Sequence, residues 1–371
     1  MKNLILKSVG AFINITASLF PKWNTNNSFK ILSKVQRAGI SEKGKEFLAK
    51  ATQTPFESEG QSSVLYKWGN GPKNVLFLHG WMSNSQRWIP YYEKLDLTQC
   101  TMYALDAPGH GMSTTNLLNL EMYRQAIDLA IHKIGAIDTV ICHSFSNTAL
   151  TYSYLVHPDV DIKKFIVMGS PSGMDAIFIY FKEMLGLSDK ALNILDKNIN
   201  EIFVIPHQDI LVKNLLKQAP QRKLVIHDKD DLITPFAPIK AAIAESSTIE
   251  TLITFGLKHD LKSNEVYDKV ISFIGASHEN SVSQSADKKS IALKEFEVRW
   301  NDIDANRHLA NSAYINYMSH TRLSFMLENG FGQAKMVAHN IGPVVFYEHM
   351  FYFKEVFPGN PIRVSLQLRG L

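Results

Sequence analysis

Thr139-Val140-Ile141-Cys142-His143-Ser144-Phe145-Ser146-Asn147 is the stretch on which the fold turns. A short run apolar on both faces meets small residues, and helix-forming sequence follows. A strand that runs straight into a tight turn and then a helix holds a serine hydroxyl clear of the sheet. A hydroxyl is a weak nucleophile at neutral pH and needs a base within reach, itself oriented by a carboxylate. Two later stretches offer both. His227-Asp228-Lys229-Asp230-Asp231-Leu232-Ile233-Thr234-Pro235 carries three candidate acids, and Phe255-Gly256-Leu257-Lys258-His259-Asp260 carries His259.

From about Ser63 to Ile274 strand-like and helix-like stretches alternate. Val75-Leu76-Phe77-Leu78, Met102-Tyr103-Ala104-Leu105, Thr139-Val140-Ile141-Cys142, Phe165-Ile166-Val167-Met168 and Leu224-Val225-Ile226 are continuous apolar runs. Runs without a polar face predict strands of a mostly parallel sheet with helices on both sides, an α/β fold. Each run ends in a polar or glycine-rich turn, where open α/β sheets bind ligands. His259 alone among the candidates lies elsewhere, after a strand expected near Thr251 to Phe255.

The chain has 371 residues, enough for about two domains. Its 45% hydrophobic and 20% charged residues are those of an ordinary globular protein. A net charge of +4 suits anionic substrates and falls far short of a nucleic-acid-binding pattern. Cys100 and Cys142, the two cysteines, form no disulfide framework, so a cytoplasmic setting is expected.

These motifs resemble the α/β-hydrolases over most of residues 60 to 275. Serine, acid, histidine is that family's order. Leu78-His79-Gly80-Trp81 resembles its oxyanion turn, and Asp106-Ala107-Pro108-Gly109-His110-Gly111 its turn after the next parallel strand. The resemblance implies Ser144 as nucleophile, His259 as base and Asp231 as acid, with the N–H groups of Trp81 and Phe145 binding the oxyanion. Asp228 and Asp230 compete with Asp231, which is preferred because it precedes Pro235 by four residues. The family motif Gly-x-Ser-x-Gly departs here, with cysteine at 142 and serine at 146. His143 is expected to pack beside the turn and Cys142 to be a small buried residue.

Between Pro171 and Pro220 lies an insertion rich in Met, Phe, Ile and Leu. It reads equally as a helical cap over the site or as helices packed on the sheet. The first twenty residues have early lysines and an apolar middle. Asn14 and Thr16 interrupt that middle, so neither a signal peptide nor a membrane span is expected. One helix face could touch a membrane surface weakly, and packing on the domain is the favoured expectation.

After a polar, serine-rich linker at 278–290 the texture changes. Leu293 to Trp300 alternates as a strand, a helix is expected from about Ser312 to Glu328, and strand-like runs follow at Val344 to Lys354 and Ile362 to Leu368. Before the helix stands Arg299-Trp300-Asn301-Asp302-Ile303-Asp304-Ala305-Asn306-Arg307-His308-Leu309. A carboxylate near a helix start can attack a carbonyl or activate water. The stretch resembles the hotdog-fold thioesterases, especially those acting on acyl carrier protein and the 4-hydroxybenzoyl-CoA type. Asp304, Asn306 and His308 match their Asp-x-Asn-x-His. The resemblance implies Asp304 as the catalytic carboxylate, with Asn306 and His308 positioning thioester or water. It also implies pairing of subunits. Turn formation and helix capping are the plainer roles for Asp304 and Asn306.

The expected organisation is an α/β-hydrolase domain over residues 1–277 with a cap at about 171–220, the linker, and the N-terminal part of an α+β hotdog domain over residues 291–371. The expected activity is hydrolysis of acyl esters or thioesters of coenzyme A or acyl carrier protein, with no metal and no other cofactor. The rival expectation is an inactive scaffold whose hotdog part serves oligomerisation or acyl-chain binding.

Overall fold

The computed structural model describes residues 2–245, 249–275, 292–305, 307–340, 342, 356 and 362–366. The chain divides into two compact units, Met1–Ser281 and Val282–Leu371. The linker expected at 278–290 lies outside the described residues.

The first unit contains eight strands: β1 (Thr52–Ser58), β2 (Gln61–Trp68), β3 (Lys73–Leu78), β4 (Cys100–Asp106), β5 (Ile137–His143), β6 (Ile162–Met168), β7 (Arg222–Asp228) and β8 (Ile249–Thr254). They form one sheet in the order β1-β2-β4-β3-β5-β6-β7-β8. β2 runs antiparallel to both β1 and β4, and every other pair is parallel. A mostly parallel sheet covered on both faces is the α/β-hydrolase architecture that the sequence implies.

The pleat explains why the central runs are apolar throughout. Leu76 and Leu78 join a core with Tyr123, Ala126, Ile127 and Ala130 of helix Leu120–Ile134. Val75 and Phe77 point the other way, into a core with Trp88, Tyr91, Val266 and Val270. All four strand residues are fully buried, and burial of each such side chain is worth about 1.5–3 kcal/mol relative to exposure. Strand β1 precedes the alternation expected from Ser63, and β2 begins just before it. Thr52-Gln53-Thr54-Pro55-Phe56-Glu57-Ser58 is an edge strand with mostly exposed residues, so it lacks the apolar signal.

In the insertion, helices Met174–Leu185, Asp189–Ile202 and Val212–Gln218 form. Leu185, Leu187, Ala191 and Leu195 close on Ile13 and Ala17 of the N-terminal helix Lys2–Leu19, so that helix packs on its own unit. Gly10 makes the close approach possible, since a Cβ there would lie 1.9 Å from the Leu185 carbonyl oxygen. Among the described residues, no helix is long and apolar enough to cross a membrane.

In the second unit β9 (Ala292–Phe296) pairs antiparallel with β10 (Ile362–Leu366), Phe296 opposite Ile362. Helix Asn311–Glu328 lays Ala313 and Tyr317 on Val298 and Leu309, with Phe296, Ile362 and Val364 packed beside them. Gly330, with φ +79°, follows the helix in the left-handed conformation that glycine adopts without strain. The first strand stops at Phe296, short of the expected Trp300. There the Asp302 carboxylate accepts the N–H of Arg299 at 3.2 Å and curls the chain into a single turn, Trp300–Asp302. The strand expected over Val344 to Lys354 lies outside the described residues.

Candidate active site

β5 delivers Ser144 from the middle of the sheet, and helix Phe145–Val156 starts at the next residue. Ser144 has φ +60° and ψ −127°, a strained conformation for any residue but glycine. The surroundings hold it there. Its N–H donates to Met168 O at 2.9 Å, and its carbonyl accepts the N–H of Asn147 at 3.0 Å. Asn147 Nδ2 reaches the carbonyls of both Ser144 and Met168 at 2.9 Å.

The two departures from the family motif fit without opening the turn. Cys142 is fully buried. The Ser146 hydroxyl lies 2.8 Å from Leu78 O and 3.0 Å from His143 O, and accepts the His143 N–H at 3.0 Å. A residue that brings its own hydrogen bonds thus stands where glycine brings only space. Glycine is required on the facing strand end instead. A Cβ on Gly80 would lie 2.7 Å from Ser144 Cβ and 3.0 Å from His143 O.

His259 joins this serine to the acid. Its Nε2 lies 2.8 Å from Ser144 Oγ, and its Nδ1 lies 2.8 Å from Asp231 Oδ2. Asp231 follows β7 and is buried. Its Oδ1 accepts the N–H groups of Ile233 at 2.8 Å and Thr234 at 2.9 Å, and its Oδ2 accepts the Thr234 hydroxyl at 2.6 Å. Burial pushes the carboxyl up, but the bonds from His259 and Thr234 outweigh it and hold it down at about 2. The competing acids are occupied elsewhere. Asp228 accepts the Thr254 hydroxyl at 2.7 Å and the Leu257 N–H at 3.0 Å, tying β7 to β8 and its loop. Asp230 accepts the Gly256 N–H at 2.9 Å.

Trp81 and Phe145 flank the serine, with rings edge to face at 5.5 Å. Among the described residues, their main-chain N–H groups find no hydrogen-bond acceptor. The Trp81 turn is fastened by two neutral imidazoles. His79 Nε2 accepts the Ala107 N–H at 3.1 Å, and its Nδ1 faces Gly80 O at 2.8 Å. His110 Nε2 accepts the Met82 N–H at 3.0 Å, and burial pushes that ring down to about 3. The turn after β4 forms around Asp106, whose carboxylate accepts from Ser85, Tyr66 and Met112. Gly111 must be glycine, since a Cβ would lie 1.8 Å from that carboxylate.

Residues that carry no motif also build the site. Thr234 orients Asp231. His143 Nε2 lies 2.8 Å from the His259 carbonyl oxygen, and Arg87 Nη2 donates to the Asp260 carbonyl at 2.6 Å. The Asp231-x-x-Thr234 spacing is a local turn signal that could have pointed to Thr234.

In the second unit, Asp304 and His308 close one tight loop. Asp304 N–H donates to His308 O at 2.8 Å, and His308 N–H donates to Asp304 Oδ1 at 3.1 Å. Ile303 pairs with Leu309 across its base, and Asp304 is an exposed residue of this loop. Asn306 lies outside the described residues. Asp302 is tied to the Tyr317 hydroxyl at 2.6 Å. Among the described residues, no cluster of three His, Cys, Asp or Glu is arranged to hold a metal ion.

Comparison with known proteins matches each unit separately. The model of the alpha/beta hydrolase family matches residues 75–192, and that of the thioesterase-like superfamily matches residues 298–371. No curated protein sequence matches the chain. Similar solved structures include a thioesterase domain from the curacin biosynthetic pathway, 14% identical, with TM-score 0.45, covering 61% of this chain and 99% of that one. Alpha/beta hydrolase domain-containing protein 10 from mouse is 14% identical with TM-score 0.46, covering 61% and 97%. Est1E from Butyrivibrio proteoclasticus, bound to ferulic acid, is 16% identical with TM-score 0.49, covering 60% and 97%. Both matched families support a hydrolase of small-molecule esters or thioesters. The chain thus carries an alpha/beta hydrolase domain followed by a thioesterase-like module.

Proposed function

We propose that the first unit is a serine hydrolase that cleaves acyl esters or thioesters through Ser144, His259 and Asp231. The reading rests on one observation, the unbroken chain from Ser144 Oγ through both ring nitrogens of His259 to Asp231 Oδ2, each link 2.8 Å. His259 Nε2 takes the hydroxyl proton as Ser144 Oγ attacks the acyl carbonyl carbon. The oxyanion that forms takes hydrogen bonds from the N–H groups of Trp81 and Phe145. Collapse breaks the bond to the leaving alcohol or thiol, which receives the proton from His259 and leaves an acyl-enzyme. His259 then deprotonates water, water attacks the acyl-enzyme, and the carboxylic acid departs with Ser144 restored. Asp231 stays ionised and stabilises the imidazolium.

The preferred substrates are acyl groups on coenzyme A or on acyl carrier protein in the cytoplasm. Two supports are the mild net charge of +4 and the thioesterase-like module that follows the hydrolase in the chain. In that module Asp304 is the candidate carboxylate, with Asn306 and His308 of the same motif to position thioester or water, and pairing of two chains would complete the site.

The test is labelling of the full chain with a fluorophosphonate probe, together with turnover of acyl-CoA, acyl-carrier and p-nitrophenyl ester substrates. Labelling of the wild type and its loss in Ser144→Ala are expected. A folded wild type that takes no label would favour the inactive scaffold. Acyl-CoA turnover that survives Ser144→Ala and disappears in Asp304→Asn would move the activity to the second unit.

A further inference from the structure

We infer that the two N-terminal helices form a docking surface for an anionic lipid membrane. The evidence begins with the placement of polar residues. Helices Lys2–Leu19 and Pro21–Leu32 stand side by side on helices Met174–Leu185 and Asp189–Ile202, with Thr16, Asn24 and Ser28 buried and Asn14 half-buried. Asn14 exchanges hydrogen bonds with Gly186 O at 2.8 Å and Ser188 N at 2.7 Å. Asn24 is fully buried and donates to Ile13 O at 2.9 Å and Thr16 Oγ1 at 2.8 Å. Of the residues that interrupt the apolar segment, Asn14 therefore ties the first helix to the protein and Thr16 ties it to the second helix.

The apolar residues left over face out. Phe12, Ile15 and Leu19 follow one another at helical spacing, and Phe20 and Trp23 extend the stripe across the joint. All five are between 42% and 67% exposed. Phe12 and Trp23 pack edge to face at 5.6 Å, so the patch is a formed surface rather than scattered side chains.

Charge selects the occupant. Residues 1–41 contain Lys2, Lys7, Lys22, Lys30, Lys34 and Arg37 and no aspartate or glutamate, against a net +4 for the whole chain. Lys22 and Lys30 are exposed on the same helix as Trp23. Apolar side chains with an interfacial tryptophan and flanking cations fit the headgroup region of an anionic leaflet. A protein partner or a second copy of this chain would need acids to meet these cations, and the stripe itself has none. The helix lies on the membrane and does not span it, in keeping with its length and polarity.

The test is flotation of the full chain with vesicles of phosphatidylcholine alone or mixed with phosphatidylglycerol. Binding to the mixed vesicles, about tenfold stronger than to phosphatidylcholine and weakened by salt, is expected. Phe12→Ser/Leu19→Ser changes exposed residues only and should abolish flotation while keeping the thermal midpoint. Lys22→Glu/Lys30→Glu should remove the preference for phosphatidylglycerol. Trp23→Phe should remove a vesicle-induced blue shift in tryptophan emission. Absence of flotation by a folded wild type would overturn the inference. So would flotation unchanged in Phe12→Ser/Leu19→Ser, or a soluble dimer that this variant dissociates without effect on vesicles.

Discussion

His143 and His259 are joined by a hydrogen bond from the Nε2–H of one to the main-chain carbonyl of the other, 2.8 Å long. The side chain before Ser144 thereby holds the backbone of the residue whose ring reaches Ser144. Burial, with the nearby Arg87 guanidinium and His259 ring, keeps His143 well below the usual histidine range. Its ring is neutral, with the hydrogen on Nε2. The loop needs such support, since Lys258 and Leu261 on either side of His259 have φ of +56° and +53°. His143→Leu is expected to slow fluorophosphonate labelling and kcat about tenfold to a hundredfold with little change in KM. His143→Gln, which restores an N–H donor, should recover most of the loss. Labelling of His143→Leu at the wild-type rate would show that the loop holds itself.

Gly80 faces Ser144 so closely that an added methyl group has no room. The clash would be with Ser144 Cβ and His143 O, neither of which is a flexible chain end. Gly80→Ala should therefore displace the hydroxyl from His259 and the Trp81 turn from the oxyanion position. We expect a fall in turnover of about a hundredfold and a stability loss of about 1–3 kcal/mol. Urea unfolding beside initial rates would separate the two effects.

The parts legible in the sequence were those with a repeating or ordered signal. β3, β5 and β6 declare themselves because both faces of each are buried. The order Ser144, Asp231, His259 marks three residues that the structure brings within hydrogen-bond distance. The choice among Asp228, Asp230 and Asp231 became visible as geometry only with the partners Thr254 and Gly256 in place. β1 was hidden because an exposed edge strand is polar by necessity. Arg87, and the bond that His143 makes from its expected place beside the turn, were hidden for another reason. A single buried polar residue has no period, and the meaning of His143 comes from a contact 116 residues away. The N-terminal helix packs on its own unit as its sequence favours, but nothing in the sequence showed that Asn14 would tie it to Gly186 and Ser188.

Ser146 tests whether the altered elbow is a loss or a replacement. Its hydroxyl takes the N–H of His143 and reaches Leu78 O, bridging β5 to β3 under the nucleophile. Ser146→Ala removes both bonds in a buried place and should cost about 1–3 kcal/mol. Ser146→Gly restores the family residue but not the bonds, and a flexible residue in the first helical turn adds to the loss. Thermal denaturation should rank wild type above both variants. A glycine variant more stable than wild type would mean that the hydroxyl contributes nothing.

Asp231 links the site to acid stability. Its carboxyl lies near 2 in the folded protein, below the ordinary aspartate value of 3.8. A carboxylate with a lowered folded pKa adds stability above its unfolded value, and that stability disappears as pH falls through the two values. The shift corresponds to about 2 kcal/mol, present in full above about pH 5 and gone only below the folded value, at about pH 1. Asp231→Asn should thus be less stable than wild type at neutral pH, with the gap closing on acidification. It should also lose turnover about 10⁴-fold at neutral pH, because an amide cannot stabilise the His259 imidazolium. Denaturant titrations of both proteins across the acid range measure the gap directly. A gap that stays constant down to pH 2 would mean that the carboxyl is not held ionised by His259 and Thr234.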